Sequence, residues 1–350
     1  MTVGLIDIDR TGFPNLALMK LSAWHKAQGH SVTLLRGMDW PLMMLTYDKV
    51  YASAVFTWNR EKADALAAMG VEVGGKGYRA GTKLPAEVHA MRPDYSLYGI
   101  DYGMGFLSRG CIRDCSFCSV PAEEGLPWLD QTIDGMINPA RERPFLVLMD
   151  NEFFWNVKWA IEQMDTFTRR GIDWCPSQGL DIRCTTPALC DSLAASPFWN
   201  LHHTRRQITF AFDDGGIEKR YRQGVEMLLR AGIKAWQLQS FVLVGYDMAT
   251  KQARGLSSSD HRRIAVIREY GIDPFVMVYR DNDSGQAIAD STLRNFARWV
   301  NRRLYKLCEF DEYVPNLRES GSVARTGNGG CGTRMMVHPD FASRVKGICS

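Results

Sequence analysis

Short apolar runs alternate with amphipathic stretches of helical periodicity along most of the chain, and this alternation limits the fold more than any other feature. VGLIDI (3–8) reads as a buried strand, and NLALMKLSAWHKAQG (15–29) as a helix closed by glycine. SVTLLR (31–36), KVYASAVF (49–56) and VEV (71–73) repeat the strand signal, with REKADALAAMG (60–70) as a further glycine-terminated helix. Between Gly74 and about Tyr102 the pattern gives way to GGKGYRAGTKLP and MRPDYSLYGIDYG, which reads as a linker with a domain boundary near residue 98. Beyond it, MGFLS (104–108), PFLVLMD (144–150), IDWCPS (172–177), QITFAFD (207–213), WQLQSFVLVGY (236–246) and DPFVMVY (273–279) are expected strands. Helices are expected at 157–171, 187–196, 217–232, 257–271 and around 289–307. Strands alternating with helices imply an α/β protein with parallel sheets covered on both faces. Alternation alone permits either a partial barrel or an open doubly wound sheet in the second half.

The chain has 350 residues, enough for two such domains. Its formal net charge of +3 neither demands nor excludes a polyanionic partner such as nucleic acid. The start, MTVGLIDIDR, lacks the pattern of a secretory leader, and no apolar run approaches a membrane span, so a cytoplasmic protein without a membrane partner is expected. Nine cysteines at irregular spacing argue against a disulfide framework and for metal ligation or burial.

GCIRDCSFCSVP (110–121) gathers Cys111, Cys115 and Cys118 in the loop after the first strand of the second domain. Loops at that end of the strands carry the chemistry of parallel α/β proteins. Three occupants compete. Structural zinc wants four ligands, so a fourth would come from His202, His203 or a distant cysteine. An iron–sulfur cluster on three thiolates keeps one iron open for a substrate or cofactor. Unligated thiols are the third option, although a loop containing Gly, Arg, Asp and Ser is poorly explained as core packing.

CIRDCSFC resembles the CxxxCxxC motif of the radical S-adenosylmethionine (radical SAM) enzymes, including an aromatic residue, Phe117, before the third cysteine. The resemblance implies a [4Fe-4S] cluster on Cys111, Cys115 and Cys118 whose open iron chelates S-adenosylmethionine. Reduction by a donor such as flavodoxin or ferredoxin then yields a 5'-deoxyadenosyl radical. It also implies a partial (β/α)6 TIM-type barrel, which selects between the two architectures above. In MDNEFFWN (149–156) Asp150, Asn151 and Glu152 stand where the family receives the cofactor's ammonium group, though Asp150 or Asn151 would equally cap the next helix. SQGLDIRC (177–184) offers Gln178, Asp181 and Arg183 where relatives bind ribose and carboxylate; a salt bridge between Arg183 and Asp181 is the structural alternative. AFDD ends in Asp213 and Asp214. LVGYD carries Gly245, which resembles the family's glycine motif beside the adenine but also suits a turn.

The first domain, residues 1–97, resembles the Rossmann-like cobalamin-binding domain that precedes the barrel in one subgroup of the family. DIDRTG (7–12), SAVFTW (53–58) and VGGKG (73–77) stand where small residues admit the cofactor. Asp9 replaces the cobalt-ligating histidine of DxHxxG. His25 is no substitute, since it lies within the following helix beside Lys26, where a solvated side chain is expected. The domain therefore either takes cobalamin without a protein axial ligand or is an empty scaffold.

The barrel is expected over 98–310 and a C-terminal extension over 311–350. There Cys331 and Cys349, with Cys308, either ligate an auxiliary cluster or are incidental thiols. Arg294, Arg298, Arg302 and Arg303 give the preceding helix a basic face, suited to nucleic acid or simply to solvent. The expected function is a radical SAM enzyme acting on an undetermined substrate, with cobalamin-dependent methyl transfer or methylthiolation as alternatives. A reading of another class is a non-catalytic zinc or iron–sulfur protein.

Overall fold

The computed structural model describes residues 1–35, 46–79, 81–281, 284 and 286–313. It is a mixed α/β fold with parallel sheets. Strands β1 (Thr2–Asp7), β2 (Ser31–Leu34), β3 (Lys49–Ser53) and β4 (Glu72–Gly74) form one parallel sheet in the order β2-β1-β3-β4. Helix α1 (Leu16–Ala27) is capped by Asn15, whose side chain accepts from Leu18 N, and α2 is Arg60–Ala68. Alternate residues of β1 feed two cores. Val3 and Leu5 meet Leu18 and Leu21 of α1. On the other face, Ile6 and Ile8 meet Ala63 and Leu66 of α2. Burial on both faces is why this strand reads as an unbroken apolar run.

The expected linker is instead a packed wedge. It contains α3 (Ala86–His89) and a 3-10 turn at Tyr95–Leu97, with Val88 and Tyr95 buried. Asp94 accepts from Ser22 and Lys26 of α1, and the Tyr95 hydroxyl donates to the Met136 carbonyl. The Tyr98 hydroxyl donates to Asp7 at 2.8 Å. Tyrosine suits such a joint because the ring buries while the hydroxyl finds an acceptor.

Beyond the wedge come β5 (Gly103–Gly105), β6 (Ser108–Arg109), α4 (Val120–Glu123), β7 (Trp128–Leu129) and α5 (Ile133–Met136). They are followed by β8 (Phe145–Leu148), α6 (Val157–Arg170), β9 (Asp173–Pro176), β10 (Leu180–Asp181), α7 (Pro187–Ala195), β11 (Ile208–Ala211), α8 (Glu218–Arg230) and β12 (Leu238–Val244). The hairpin β13 (Tyr246–Asp247) and β14 (Gln252–Ala253), α9 (Ser258–Glu269), β15 (Asp273–Val278) and α10 (Ser291–Asn301) complete it. Two parallel ladders run in chain order, β5-β8-β9 and β10-β11-β12-β15. The expected strand at 104–108 is therefore two pieces, of which β6 pairs antiparallel with β7.

One continuous core spans both ladders, from Leu146 and Trp174 through Phe210 and Val242 to Phe296. On β12 the buried Leu238, Ser240, Val242 and Val244 alternate with partly exposed Gln239, Phe241 and Leu243. Among the described residues no helix is long and apolar enough to cross a membrane.

Candidate functional site

The cysteine loop is tied off at its neck. Arg109 pairs with Trp128 and Ser108 with Leu129 across β6 and β7. Gly110 follows at φ +78, and a Cβ there would come 2.5 Å from the Leu126 carbonyl oxygen, so only glycine fits. Gly110 N donates to the Glu124 carboxylate at 3.1 Å, and Cys111 N to Gly125 O at 3.1 Å. Arg109 bonds Asp130 at 2.6 Å and Glu124 at 3.2 Å, while His89 of the wedge reaches Asp130 at 2.6 Å.

Inside the loop, Cys118 N donates to Cys115 O at 2.9 Å, a turn that brings the second and third thiols together. Each sulfur receives an N–H: Arg113 N to Cys111 Sγ at 3.4 Å, the Arg183 guanidinium to Cys115, and Val120 N to Cys118. All three thiols are free and partly exposed. Burial pushes the Cys111 thiol up to about 11, and raises Cys115 and Cys118 as well. The bare thiols therefore keep their protons at neutral pH, and a metal that binds them must displace those protons.

Among the described residues no three His, Cys, Asp or Glu side chains stand close enough together to hold a single metal ion. Tetrahedral zinc needs its sulfurs around one point, with Zn–S of about 2.3 Å. An iron–sulfur cluster attaches each cysteine to a different iron, so its thiols need not meet at one point. His203 is engaged elsewhere. Its Nε2 lies 3.0 Å from Asp173 at the start of β9, and its ring stacks on Phe145 at 4.2 Å. His202 is exposed in the same turn. Cys308 packs against the main core near Trp299, whereas Cys331 and Cys349 lie outside the described residues.

The polar residues after β8 brace this arrangement. Asp150 is buried and accepts from Leu107 N (2.9 Å), Ser108 N and the Ser108 hydroxyl (both 2.6 Å). Asn151 donates to Glu124 at 2.6 Å. Neither caps α6; Asn156 does, accepting from Trp159 N, because the chain enters the helix only there. Glu152 is buried and accepts from Phe154 N and Asp181 N, each at 2.7 Å.

Asp181, on β10, pairs with two arginines: Arg113 Nε at 2.6 Å and Arg183 Nε at 2.8 and 3.0 Å. Burial would raise this carboxyl, but the hydrogen bonds from Arg183 and Arg113 outweigh it and hold it below its ordinary value. Gln178 is exposed between β9 and β10. Asp213 accepts from Leu243 N at 2.7 Å and contributes its field to Cys115 and Cys118; burial raises its carboxyl. The Phe117 ring meets Tyr246 edge-on at 5.9 Å. Gly245 has φ +86, so its turn favours glycine, and a Cβ there would crowd Leu293 and Ile288 at 3.0 and 3.1 Å.

Arg263 is the site residue that the sequence conceals. It is buried and donates to the carbonyls of Phe212 (3.0 Å), Asp213 (2.8 Å) and Leu243 (2.9 Å), and to Asp260. It thereby ties the ends of β11 and β12 together behind Asp213. Its neighbour Arg262 is solvent-facing and pairs with Glu218; helical spacing puts Arg263 on the buried stripe with Asp260, Ile264 and Ile267 but does not show the carbonyls it meets.

In the first sheet, Asp9 is committed to its own chain: it accepts from Val55 N at 2.5 Å, Phe56 N at 3.3 Å and Asn59 Nδ2 at 2.9 Å. A Cβ on Gly75 would lie 2.2 Å from Ala54 O, and one on Gly77 would lie 2.4 Å from the Phe56 carbonyl carbon. These glycines let the fourth-strand loop close onto the third. Beside them Asp7, Arg10, Phe13, Leu35, Tyr98 and Ile100 line an open cleft of about 440 Å³. His25 is buried rather than solvated. Its Nδ1 is 3.0 Å from that of His30 and its ring packs on Trp24 and Tyr51, because α1 turns this position toward the sheet.

No known family model matches the chain, and no curated protein matches it.

Burial, and next the charge of Asp181, push Glu152 up to about 8 from an ordinary 4.5. A raised folded-state value means that its stabilising contribution is complete below pH 4.5 and fades as pH rises toward 8. The slope approaches ~1.4 kcal/mol per pH unit. Glu152→Gln removes that slope but puts an amide nitrogen against a backbone N–H, at a cost of about 1–3 kcal/mol. In urea unfolding the variant is expected to be less stable than wild type at pH 5, with the gap closing by pH 8. A gap independent of pH would contradict a protonated Glu152.

Proposed function

We propose that this chain is a radical SAM enzyme whose Cys111, Cys115 and Cys118 hold a [4Fe-4S] cluster. In this reading a Rossmann-like domain precedes a partial (β/α)6 barrel formed by the two ladders. The observation that carries it is the loop itself: three partly exposed thiols, each met by one N–H, on a loop closed at its neck by glycine. A cluster held there with one iron free of protein ligands would supply reductive cleavage of S-adenosylmethionine to methionine and a 5'-deoxyadenosyl radical, the single electron coming from an external donor such as a flavodoxin or ferredoxin.

The chain's own part is to place and shield. Gly110, Arg109 and Glu124 fix the neck of the loop. Asp150, Asn151 and Glu152 hold the backbone around it rather than presenting open acceptors: Asp150 secures Leu107 and Ser108, Asn151 secures Glu124, and Glu152 secures β10. Asp213 is a carboxyl whose field reaches Cys115 and Cys118, and a cation placed beside it, such as the cofactor's ammonium group, would draw off the proton that burial favours. Phe117, with Tyr246 and Tyr279 behind it, offers an aromatic edge to a flat base.

Anaerobic reconstitution with iron and sulfide tests the reading. About four irons per chain are expected. One zinc per chain after aerobic purification, with no uptake of iron, would contradict it.

A further inference from the structure

We propose that Arg113 and Arg183, held together by Asp181, set the reduction potential of the cluster carried by the cysteine loop; this rests on the radical SAM reading. The three side chains form one clamp. Asp181 takes Arg113 Nε on one oxygen at 2.6 Å and Arg183 Nε on both, at 2.8 and 3.0 Å. It also takes Arg183 N at 2.9 Å. The clamp is fixed from behind, since Asp181 N donates to Glu152 at 2.7 Å and Arg220 donates to the carbonyls of Arg183 (3.0 Å) and Thr185 (2.5 Å).

Arg183 reaches the thiols through its side chain and Arg113 through its backbone. The Arg183 guanidinium bonds Cys115, and Arg113 gives its backbone N–H to Cys111 at 3.4 Å while its guanidinium, held on Asp181, lies 3.9 Å from Cys184 Sγ. Two guanidiniums thus share the Asp181 carboxylate next to the loop, where the Arg183 charge acts on Cys115 and the Asp213 carboxyl acts on the same thiol in the opposite sense. Cys118 has a backbone donor instead, from Val120. The arginines are only about one-third exposed, at 33% and 31%, so solvent screens this charge incompletely.

Reduction adds one electron and breaks no bond, with the electron drawn from a chemical mediator. It makes the cluster more negative, so nearby positive charge and N–H donors to sulfur favour the reduced form and raise the potential. Asp181 acts in the opposite sense through its own charge, while fixing where the guanidiniums point.

A mediated redox titration of the reconstituted full-length protein, followed by electron paramagnetic resonance, reads this directly. Arg183→Gln and Arg113→Gln are expected to shift the midpoint to more negative values. Arg183→Lys, which keeps the charge, should shift it less than Arg183→Gln, and Asp181→Asn should move it to more positive values. A bracing role alone would lower cluster content without moving midpoints in opposite directions. Should Arg183→Gln fail to load, Arg113→Gln and Asp181→Asn still supply the two opposed signs. Full iron content with unmoved midpoints would overturn this assignment alone, whereas a wild type that takes up no cluster would overturn both it and the proposed function.

Discussion

Cys115→Ala is expected to leave the protein folded but without its cluster, with iron after anaerobic reconstitution falling to a small fraction of the wild-type load. The thiol is partly exposed on a loop whose neck is closed by Gly110, Cys111, Glu124 and Gly125, so the substitution removes a ligand without opening the core. Its effect on unfolding should stay within about 0.5 kcal/mol. Cys175→Ala is the control. That thiol is buried beside Met104, Phe145 and Val147, and burial pushes it to about 12, so it serves packing. The control should lose some stability and keep its iron. Iron measured by a colorimetric assay in both variants separates a ligand from a core cysteine, and full loading of Cys115→Ala would contradict its assignment.

Arg263→Met is expected to be the most damaging single change to the fold, at about 3–5 kcal/mol. Three carbonyls, of Phe212, Asp213 and Leu243, would lose their donor, and the buried Asp260 would keep only Arg254 and the Ser257 cap as polar partners. Urea unfolding reads the loss. The double variant Arg263→Met with Asp260→Leu should cost less than the sum of the two single changes, because the second removes the charge that the first leaves under-compensated. Additive losses would mean that the pair does not act as a unit.

Much of this architecture was legible because it is written in local periodicity. The strands at 2–7, 145–148, 173–176, 208–211, 238–244 and 273–278 and the helices after them follow from apolar runs and caps such as Asn15 and Thr186. The cysteine loop was legible for the same reason: three cysteines within one short segment need no tertiary knowledge. What stayed hidden depends on partners far away in sequence. Helical spacing puts Arg263 rather than Arg262 on the stripe of Asp260, Ile264 and Ile267, yet nothing local shows that it holds the carbonyl ends of β11 and β12. Asp150 reads as a cofactor ligand or a helix cap, but Leu107 and Ser108, more than forty positions earlier, claim its oxygens. β10 carries too few residues for a period to show, and it exists because Leu180 and Asp181 pair with Phe210 and Ala211. The wedge at 86–97 looks like a linker in composition, since burying Tyr95 requires the Met136 carbonyl as partner. In the same way the glycines of VGGKG are needed for approach to the chain's own backbone at Ala54 and Phe56, a requirement that in sequence looks the same as room for a cofactor.

The most direct test of the central claim is formation of 5'-deoxyadenosine when the cluster-loaded protein is incubated anaerobically with S-adenosylmethionine and dithionite. The account predicts the product from wild type and none from Cys115→Ala. Equal yields from the two, or no product from a wild type carrying about four irons per chain, would contradict it.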